Sequence, residues 1–332
     1  MNENRIPVSE STLSAHYLGQ FVQDAYKLDS MTTCTLFRTG INHLYFINTP
    51  NCRFVFRVYT LNWRTKLEIE EEIRLLNHLR LNNVPIAYPI PDESHRFIQD
   101  LSAPEGIRYG VLFSFAEGEK RSDFTERTSF KIGQVMARMH AVTENLHLQR
   151  VTYSAQTLLT DSFNSSKSFF RNSTDEMAFL EKTTQYLIEE FRKVRKDEVR
   201  HGAIHLDIWF DNLHLKSEEE ITIFDFDFCG NGWLCFDVAY YMLQLYNTRQ
   251  SEDAYENKVD HFIRGYESIM KISDEEKRII PIVAVAIWFF YLGVQCDRFD
   301  NWSNVFLSED HLKRFIRAIR KWIDYHHLPL AT

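Results

Sequence analysis

The stretch 201–227, HGAIHLDIWFDNLHLKSEEEITIFDFD, holds the residues best suited to chemistry: His205, Asp207, Asn212, Asp225 and Asp227. Asn212–Leu215 and Ile221–Phe224 alternate like short strands, and the polar run Lys216–Glu220 reads as the turn between them. A hairpin there would return Asp225 to the neighbourhood of Asp207 and Asn212. Converging carboxylates and an amide suit phosphoryl transfer, in which catalysis is positioning plus neutralisation of charge. One carboxylate must take the proton of an acceptor hydroxyl, and Asp207 fits that role. A second carboxylate and an amide oxygen must hold Mg²⁺, which prefers hard oxygen ligands; Asp225 and Asn212 fit. Asp227 projects the same way as Asp225 if the strand continues. His205 would buttress the loop. If the segment were helical, His201 and His205 would share a face with zinc-ligand spacing, and an ordinary polar loop is a third reading.

The spacing His205-x-Asp207-x-x-x-x-Asn212, followed by Asp225-Phe226-Asp227 and then Phe236-Asp237-Val238-Ala239, resembles the aminoglycoside phosphotransferase / choline kinase family, and within it the homoserine-kinase-like branch. The resemblance covers about residues 34–300. It implies an α+β, bilobal protein-kinase-like fold, with a small β-sheet N-lobe and a larger, mostly helical C-lobe. On that reading residues 1–113 form an N-terminal helical segment and the nucleotide-binding lobe, and residues 114–332 carry the catalytic loops and the acceptor site.

The small lobe offers matching features. Leu13, Tyr17, Phe21 and Tyr26 stand at near-helical spacing. Cys34–Arg38, His43–Asn48 and Arg53–Tyr59 read as strands. The turn Thr39-Gly40-Ile41-Asn42 is similar to the family's sparse phosphate loop, with Gly40 and Asn42 toward the nucleotide and Tyr45 following. Arg57 lies inside an alternating strand, and a cation there needs an anion. In the helix expected over Thr65–Arg80, Glu72 falls within the apolar stripe of Ile69, Ile73, Leu76 and Leu79. Arg57 and Glu72 therefore correspond to the strand-cation and helix-glutamate pair of kinases, with Glu68 as the alternative anion. Val84–Pro91 is punctuated by proline and extended. His95–Asp100 and Tyr109–Phe115 read as a strand pair. The resemblance makes Ser114, Phe115 and Ala116 the hinge that meets adenine.

From Ser122 the pattern is helical. Phe130–His140 has core spacing at Ile132, Val135, Met136 and Met139. The basic run Arg192, Lys193, Arg195, Lys196 and Arg200 reads as a solvated helix end. Gly230-Asn231-Gly232 reads as a turn, and Asp237 as an N-cap or a clamp on the catalytic loop. The apolar stretch Ile279–Val294 is short for a membrane span and reads as a buried helix. In the family this region lines the acceptor pocket, so Trp288, Tyr291, Asp297 and Arg298 are acceptor candidates; for Trp288 and Tyr291 a core position is the better reading. His311–Tyr325 is amphipathic.

The 332-residue chain carries a net charge of −8, which argues against a nucleic-acid partner. Its five cysteines form no Cys-x-x-Cys pair and fit a reducing cytoplasm. The polar start lacks a signal peptide, and no membrane association is expected. The expected activity is an ATP- and Mg²⁺-dependent phosphotransferase acting on the hydroxyl of a small molecule such as an amino alcohol, an amino acid or an aminoglycoside. A Ser/Thr protein kinase of the same fold and a nucleotide binder without catalysis are the alternatives. Asp237 follows Asp225 by only twelve positions, which leaves little room for a peptide-docking segment.

Overall fold

The computed structural model describes residues 6–171, 174–301 and 306–330. The chain divides into two compact units. The first is built chiefly from residues up to Arg80 and from Ile86–Ala116, and the second chiefly from Leu81–Pro85 and the chain from Glu117 onward.

The first unit contains α1 (Ala15–Tyr26), β1 (Thr33–Arg38), β2 (Asn42–Asn48), β3 (Arg53–Tyr59), α2 (Lys66–Leu81), β4 (Pro89–Ile90), β5 (Ile98–Ala103) and β6 (Gly106–Ser114). The strands form an antiparallel sheet in the order β1-β2-β3-β6-β4, with β5 also paired to β6. Period-two alternation sends His43, Tyr45 and Ile47 of β2 to one face, where they are buried. Tyr45 and Ile47 meet Phe56, Val58, Leu101 and Leu112 there, and α1 closes this core with Leu18, Val22 and Tyr26. The expected helix therefore exists, but its inward stripe runs Leu18, Val22, Tyr26 at i, i+4, i+8. Tyr17 points outward, 68% exposed. Spacing alone left the choice of face open, because Tyr17 and Leu18 are both apolar and adjacent. Arg57 and Tyr59 take the opposite parity on β3.

The second unit is mostly helical. Its elements are α3 (Glu126–Thr143), a π-helical turn at Gln156–Asp161 leading into α4 (Ser162–Phe169), α5 (Thr174–Arg192), β7 (His201–Ile204), β8 (Leu213–Leu215), β9 (Ile221–Ile223), β10 (Gly230–Trp233), α6 (Cys235–Thr248), α7 (Glu252–Glu267), α8 (Asp274–Asp297) and α9 (Glu309–Tyr325). Strands β8 and β9 form the expected hairpin. Helix α8 opens with a capping box between Ser273 and Glu276. Among the described residues it is the one helix long and apolar enough to cross a membrane, yet most of it is buried inside the protein. Leu312, Ile316, Ile319 and Trp322 of α9 are buried, and the Trp322 indole donates to the Pro281 carbonyl of α8 at 2.9 Å.

Two expectations are corrected here. Gly230–Gly232 is not a turn but the start of β10, which pairs antiparallel with β7 from Gly230↔Ile204 to Trp233↔His201. The glycines permit close approach: a Cβ on Gly230 would come within 2.6 Å of the Val151 carbonyl oxygen, and one on Gly232 within 2.6 Å of Ile204 Cδ1. The basic run is also not simply solvated. Arg195 bonds the buried Glu275 at 2.8 Å, and Arg200 bonds the buried Glu276 at 2.8 Å. Hydrogen bonds from Arg278 and then from Arg195 pull the Glu275 carboxyl down to about 2. Periodicity did not reveal these partners, which lie about eighty residues away in sequence.

Helices α3 and α7 approach so closely that each presents a glycine to the other's backbone. A Cβ on Gly133 would collide with the Phe262 carbonyl, and one on Gly265 with the Phe130 carbonyl. Backbone cannot swing aside as a side chain can. Gly265→Ala is therefore expected to destabilise the protein by about 1–3 kcal/mol, the scale of overpacking, read as a lower urea midpoint at unchanged slope.

Candidate functional site

In the second unit the site is built at the end of β7. The chain leaves Ile204, passes through His205, turns left-handed at Leu206 (φ 68°) and presents Asp207. A non-glycine residue in that conformation is strained and must be held by its surroundings. The holder is Asp237, in the first turn of α6. Its fully buried carboxylate accepts the backbone N–H of His205 at 3.0 Å and of Leu206 at 2.6 Å. It also lies 3.0 Å from His140 Nε2, and His140 Nδ1 meets the Tyr266 hydroxyl at 2.7 Å. Asp237 thus acts as the clamp, and His140 packs beneath it.

His205 is fully buried, with both ring nitrogens engaged. Nε2 donates to the Phe224 carbonyl at 3.1 Å, and Nδ1 accepts the Asp207 N–H at 3.1 Å. Burial lowers its pKa, against the pull of Asp237. A neutral ring donating at Nε2 is the tautomer this arrangement requires. It ties the loop to the end of the hairpin. The stretch His201–Ile204 is a strand, so His201 and His205 do not share a helix face and the zinc spacing does not arise.

Asn212 closes a 3-10 turn at Phe210–Asn212. Its amide nitrogen donates to the Asp207 carbonyl at 2.9 Å and to Asp207 Oδ2 at 2.8 Å. That leaves its oxygen as the end that could face a cation. The Phe224 N–H donates to the Asn212 carbonyl at 3.1 Å, which brings the neighbouring Asp225 alongside. Strand β9 ends at Ile223, however. Asp225 is left-handed (φ 66°), and Phe226–Phe228 form a 3-10 turn. Asp225 and Asp227 therefore do not project together from a continuing strand. Asp227 is buried, and its carbonyl accepts from Arg150 at 2.5 Å.

Asp207 is half-buried, and its carboxyl is pushed up to about 7, first by burial and then by the charge of Asp225. Hydrogen bonds from Tyr291, Tyr240 and Asn212 oppose the rise. Two carboxylates that repel one another beside an amide are a donor set that a divalent cation would stabilise. Among the described residues no three His, Cys, Asp or Glu side chains gather into a cage. The set instead fits a cation held by one or two carboxylates together with substrate phosphates, the usual mode for Mg²⁺. Tyr240 escaped the sequence reading. Its signal was its place three residues after Asp237, one turn along the same helix face.

Among the acceptor candidates, Tyr291 of α8 lies beside Asp207, and the two groups influence each other's proton affinity. Its hydroxyl also lies 3.3 Å from the Leu206 carbonyl, and its ring stacks on Tyr240 at 5.2 Å. Trp288 belongs to the core, 8% exposed and against Phe315. Asp297 accepts from Ser165 on α4 at 2.9 Å, and Arg298 caps the helix. Asp297 is six residues beyond Tyr291, roughly 9 Å along the axis.

The first unit holds the second group. Arg57 Nη1 bonds Glu72 Oε1 at 2.8 Å, and the Tyr59 hydroxyl donates to Glu72 Oε2 at 3.0 Å. Glu72 is fully buried, and the Arg57 guanidinium lies 4.8 Å from the Phe113 ring. Glu68 caps the start of α2 by accepting from the Thr65 N–H and hydroxyl. Asn42 opens β2 opposite Tyr59. A Cβ on Gly40 would meet no atom closer than 3.8 Å, so the protein's own packing does not require glycine there. Ser114 is tied to the sheet: its N–H donates to the Tyr88 carbonyl and its hydroxyl accepts the Tyr88 N–H. That N–H is therefore already paired within the sheet. Phe115 packs edge-on to Phe46 at 6.0 Å, and Ala116 is buried.

The raised Asp207 has a consequence for stability. Its folded value of about 7 stands above the ordinary carboxylate value of about 4, so between those values the folded chain binds the extra proton. Stability contributed by this group is therefore present below about pH 4 and is lost as pH rises through 7. Asp207→Asn removes the charge. Without nucleotide or metal, its Tm should exceed that of the wild type at pH 8, with the gap closing toward pH 4 in thermal melts.

Comparison with known proteins agrees with this geometry. Residues 33–272 match the phosphotransferase enzyme family. A homoserine kinase of Bradyrhizobium diazoefficiens is 23% identical over 299 residues, which is 88% of this chain and 86% of that protein. The structure of an amicoumacin kinase in complex with AMP-PNP, Ca²⁺ and Ami superposes with a TM-score of 0.76 at 18% identity, covering 93% of each chain. That of a microcompartment-associated aminopropanol kinase superposes with a TM-score of 0.75 at 18% identity, covering 95% of this chain and 99% of that one. With a matched region spanning both the Arg57–Glu72 pair and the loop carrying Asp207, the chain belongs to the phosphotransferase enzyme family and has its protein-kinase-like fold.

Proposed function

We propose that this protein transfers the γ-phosphoryl group of ATP, in the presence of Mg²⁺, to a hydroxyl of a small molecule that also carries an amino group. The observation that carries the reading is the carboxylate of Asp207, held by Asn212 and set beside Asp225. Amicoumacin, homoserine and aminopropanol kinases among the similar proteins support an amino-bearing acceptor for this chain.

On this reading Asp207 accepts the proton of the acceptor hydroxyl as the oxygen attacks phosphorus. Asn212 orients that carboxylate, and His205 and Asp237 hold the loop beneath it. Asp225, Asn212 through its amide oxygen, and Asp227 would hold Mg²⁺, which when bound neutralises charge on the phosphates. Arg57, kept in place by Glu72, would contact the phosphates, as would the turn from Gly40 to Asn42. Phe115 and Ala116 would meet the base. The unbridged cysteines fit a cytoplasmic setting, where ATP is plentiful.

Protein substrates are disfavoured by how the chain after Asp225 is used. Residues 226–228 form a 3-10 turn and 230–233 a strand paired with β7, so no free segment remains before α6 on which a peptide could dock. A binder without catalysis is disfavoured by Asp207, whose fixed carboxylate has no purpose in nucleotide binding alone.

Calorimetry tests the reading first: Mg·ATP should bind, and removing magnesium should weaken binding. No nucleotide binding with any divalent metal would overturn it. Hydroxylated amines should then stimulate ADP release. With a stimulating acceptor in hand, Asp207→Asn should lower kcat by roughly 10² or more while ATP affinity stays nearly unchanged. Asp225→Asn should raise the magnesium concentration needed for half-activity. Rescue of Asp207→Asn by excess magnesium, with Asp225→Asn insensitive to it, would reverse the two assignments.

A further inference from the structure

The segment before α1 lies outside the stretch matched to the family, which begins at residue 33. It is nevertheless stitched into the first unit by side chains. Ser11 donates its N–H and hydroxyl to the Glu105 carboxylate at 3.1 and 2.7 Å. The Ser11 carbonyl accepts from the buried Arg108 at 2.7 Å, and the Leu13 carbonyl accepts from the Tyr45 hydroxyl at 2.8 Å.

Glu10 has a more specific position. Its Oε1 lies 3.1 Å from His43 Nε2 and 3.2 Å from the Thr60 hydroxyl. The single Thr60 hydroxyl hydrogen is shared between Glu10 and the Ile41 carbonyl, the latter at 2.5 Å. Ile41 and His43 are the two neighbours of Asn42, in the turn that joins β1 to β2. Both are therefore gripped from the same side by one small cluster. The other Glu10 contact is equally constrained: His43 is 3% exposed, and its Nδ1 is buried without a hydrogen-bond partner. Glu10 therefore supplies the one bond that Nε2 makes. The β1 side of the turn is less regular, because the β1–β2 register shifts between Leu36 and Arg38. On its other side Asn42 pairs with Tyr59 of β3, and the Thr60 and Glu10 contacts hold the turn where that ladder ends.

We propose that the N-terminal segment is a strap whose Glu10, acting with Thr60, positions the Gly40–Asn42 turn for the nucleotide's phosphates. The inference rests on the phosphate role given to that turn above. Glu10, Thr60 and His43 are positioning residues: they act through Ile41 and Asn42 and are not assigned contact with the nucleotide.

The test is calorimetric titration of the full chain with Mg·ATP and, separately, with AMP, alongside thermal melts. Thr60→Val keeps the branched shape and removes the hydroxyl. It should weaken ATP binding by about five- to tenfold, the factor that loss of a typical hydrogen bond produces. AMP, which lacks the outer phosphates, should bind as it does to the wild type. Thr60→Ser, which retains the hydroxyl, should restore ATP affinity. Glu10→Ala should weaken ATP in the same selective way, and Tyr17→Ala, on the exposed side of α1, should change neither affinity. The proposal is overturned if Thr60→Val and Glu10→Ala lower the Tm but bind ATP like the wild type, or if ATP and AMP weaken equally. Should Glu10→Ala fail to fold, the Val and Ser variants at Thr60 decide the matter between them. If the wild type binds no Mg·ATP, the function itself is refuted and the strap proposal falls with it; if it binds and only the selective loss is missing, the strap proposal alone fails.

Discussion

The loop that carries Asp207 depends on one buried charge. Asp237 has no solvent access, and an ionised carboxylate removed from water costs several kcal/mol unless donors replace the water. Two backbone N–H groups and His140 do so. The start of α6 adds the favourable end of its dipole. The requirement runs both ways. Asp237 needs those donors, and the donors include the strained left-handed Leu206, which would relax if they were withdrawn. The geometry of Asp207 is thus fixed from beneath by the electrostatics of its neighbour thirty residues on.

A second buried pair plays the corresponding role in the other unit. Glu72 is fully buried on α2 and is matched by Arg57 and by the Tyr59 hydroxyl. Such a pair is weak as a source of stability, because desolvation offsets most of the attraction. It is strong as a constraint, because removing either partner strands the other. It sets α2 against β3 in one register.

Asp207 shows what this arrangement does to a functional group. Burial and Asp225 raise its proton affinity, while three hydrogen-bond donors hold the rise in check. The balance leaves the Asp207 carboxyl at about 7, a value suited to the proton-accepting role proposed for it. Tyr240 and Tyr291 contribute to it from helices α6 and α8, which meet at the stacked rings.

Much of this was legible in the chain because the chemistry is local. Asp207, Asn212 and Asp225 flank one hairpin, whose alternation and polar turn show in the residues themselves, so the return of Asp225 toward Asn212 could be read from the chain. Arg57 and Glu72 could be paired from two neighbouring elements, since each violates the apolar pattern of its own. Tertiary structure alone decided the rest, wherever the partner lies far along the chain or where two readings share a composition. Gly230 and Gly232 look like a turn until β7 and Val151 come close enough to exclude a Cβ. Arg195 and Arg200 look solvated until Glu275 and Glu276 arrive from α8. Tyr17 and Leu18 are equivalent until the sheet selects one face of α1. Trp288 and Tyr291, one turn apart on α8, were indistinguishable by type; packing sent one to the core and the other to Asp207. Sequence periodicity reports which faces are apolar, but only the folded chain determines which polar group is deprived of water and must therefore find another.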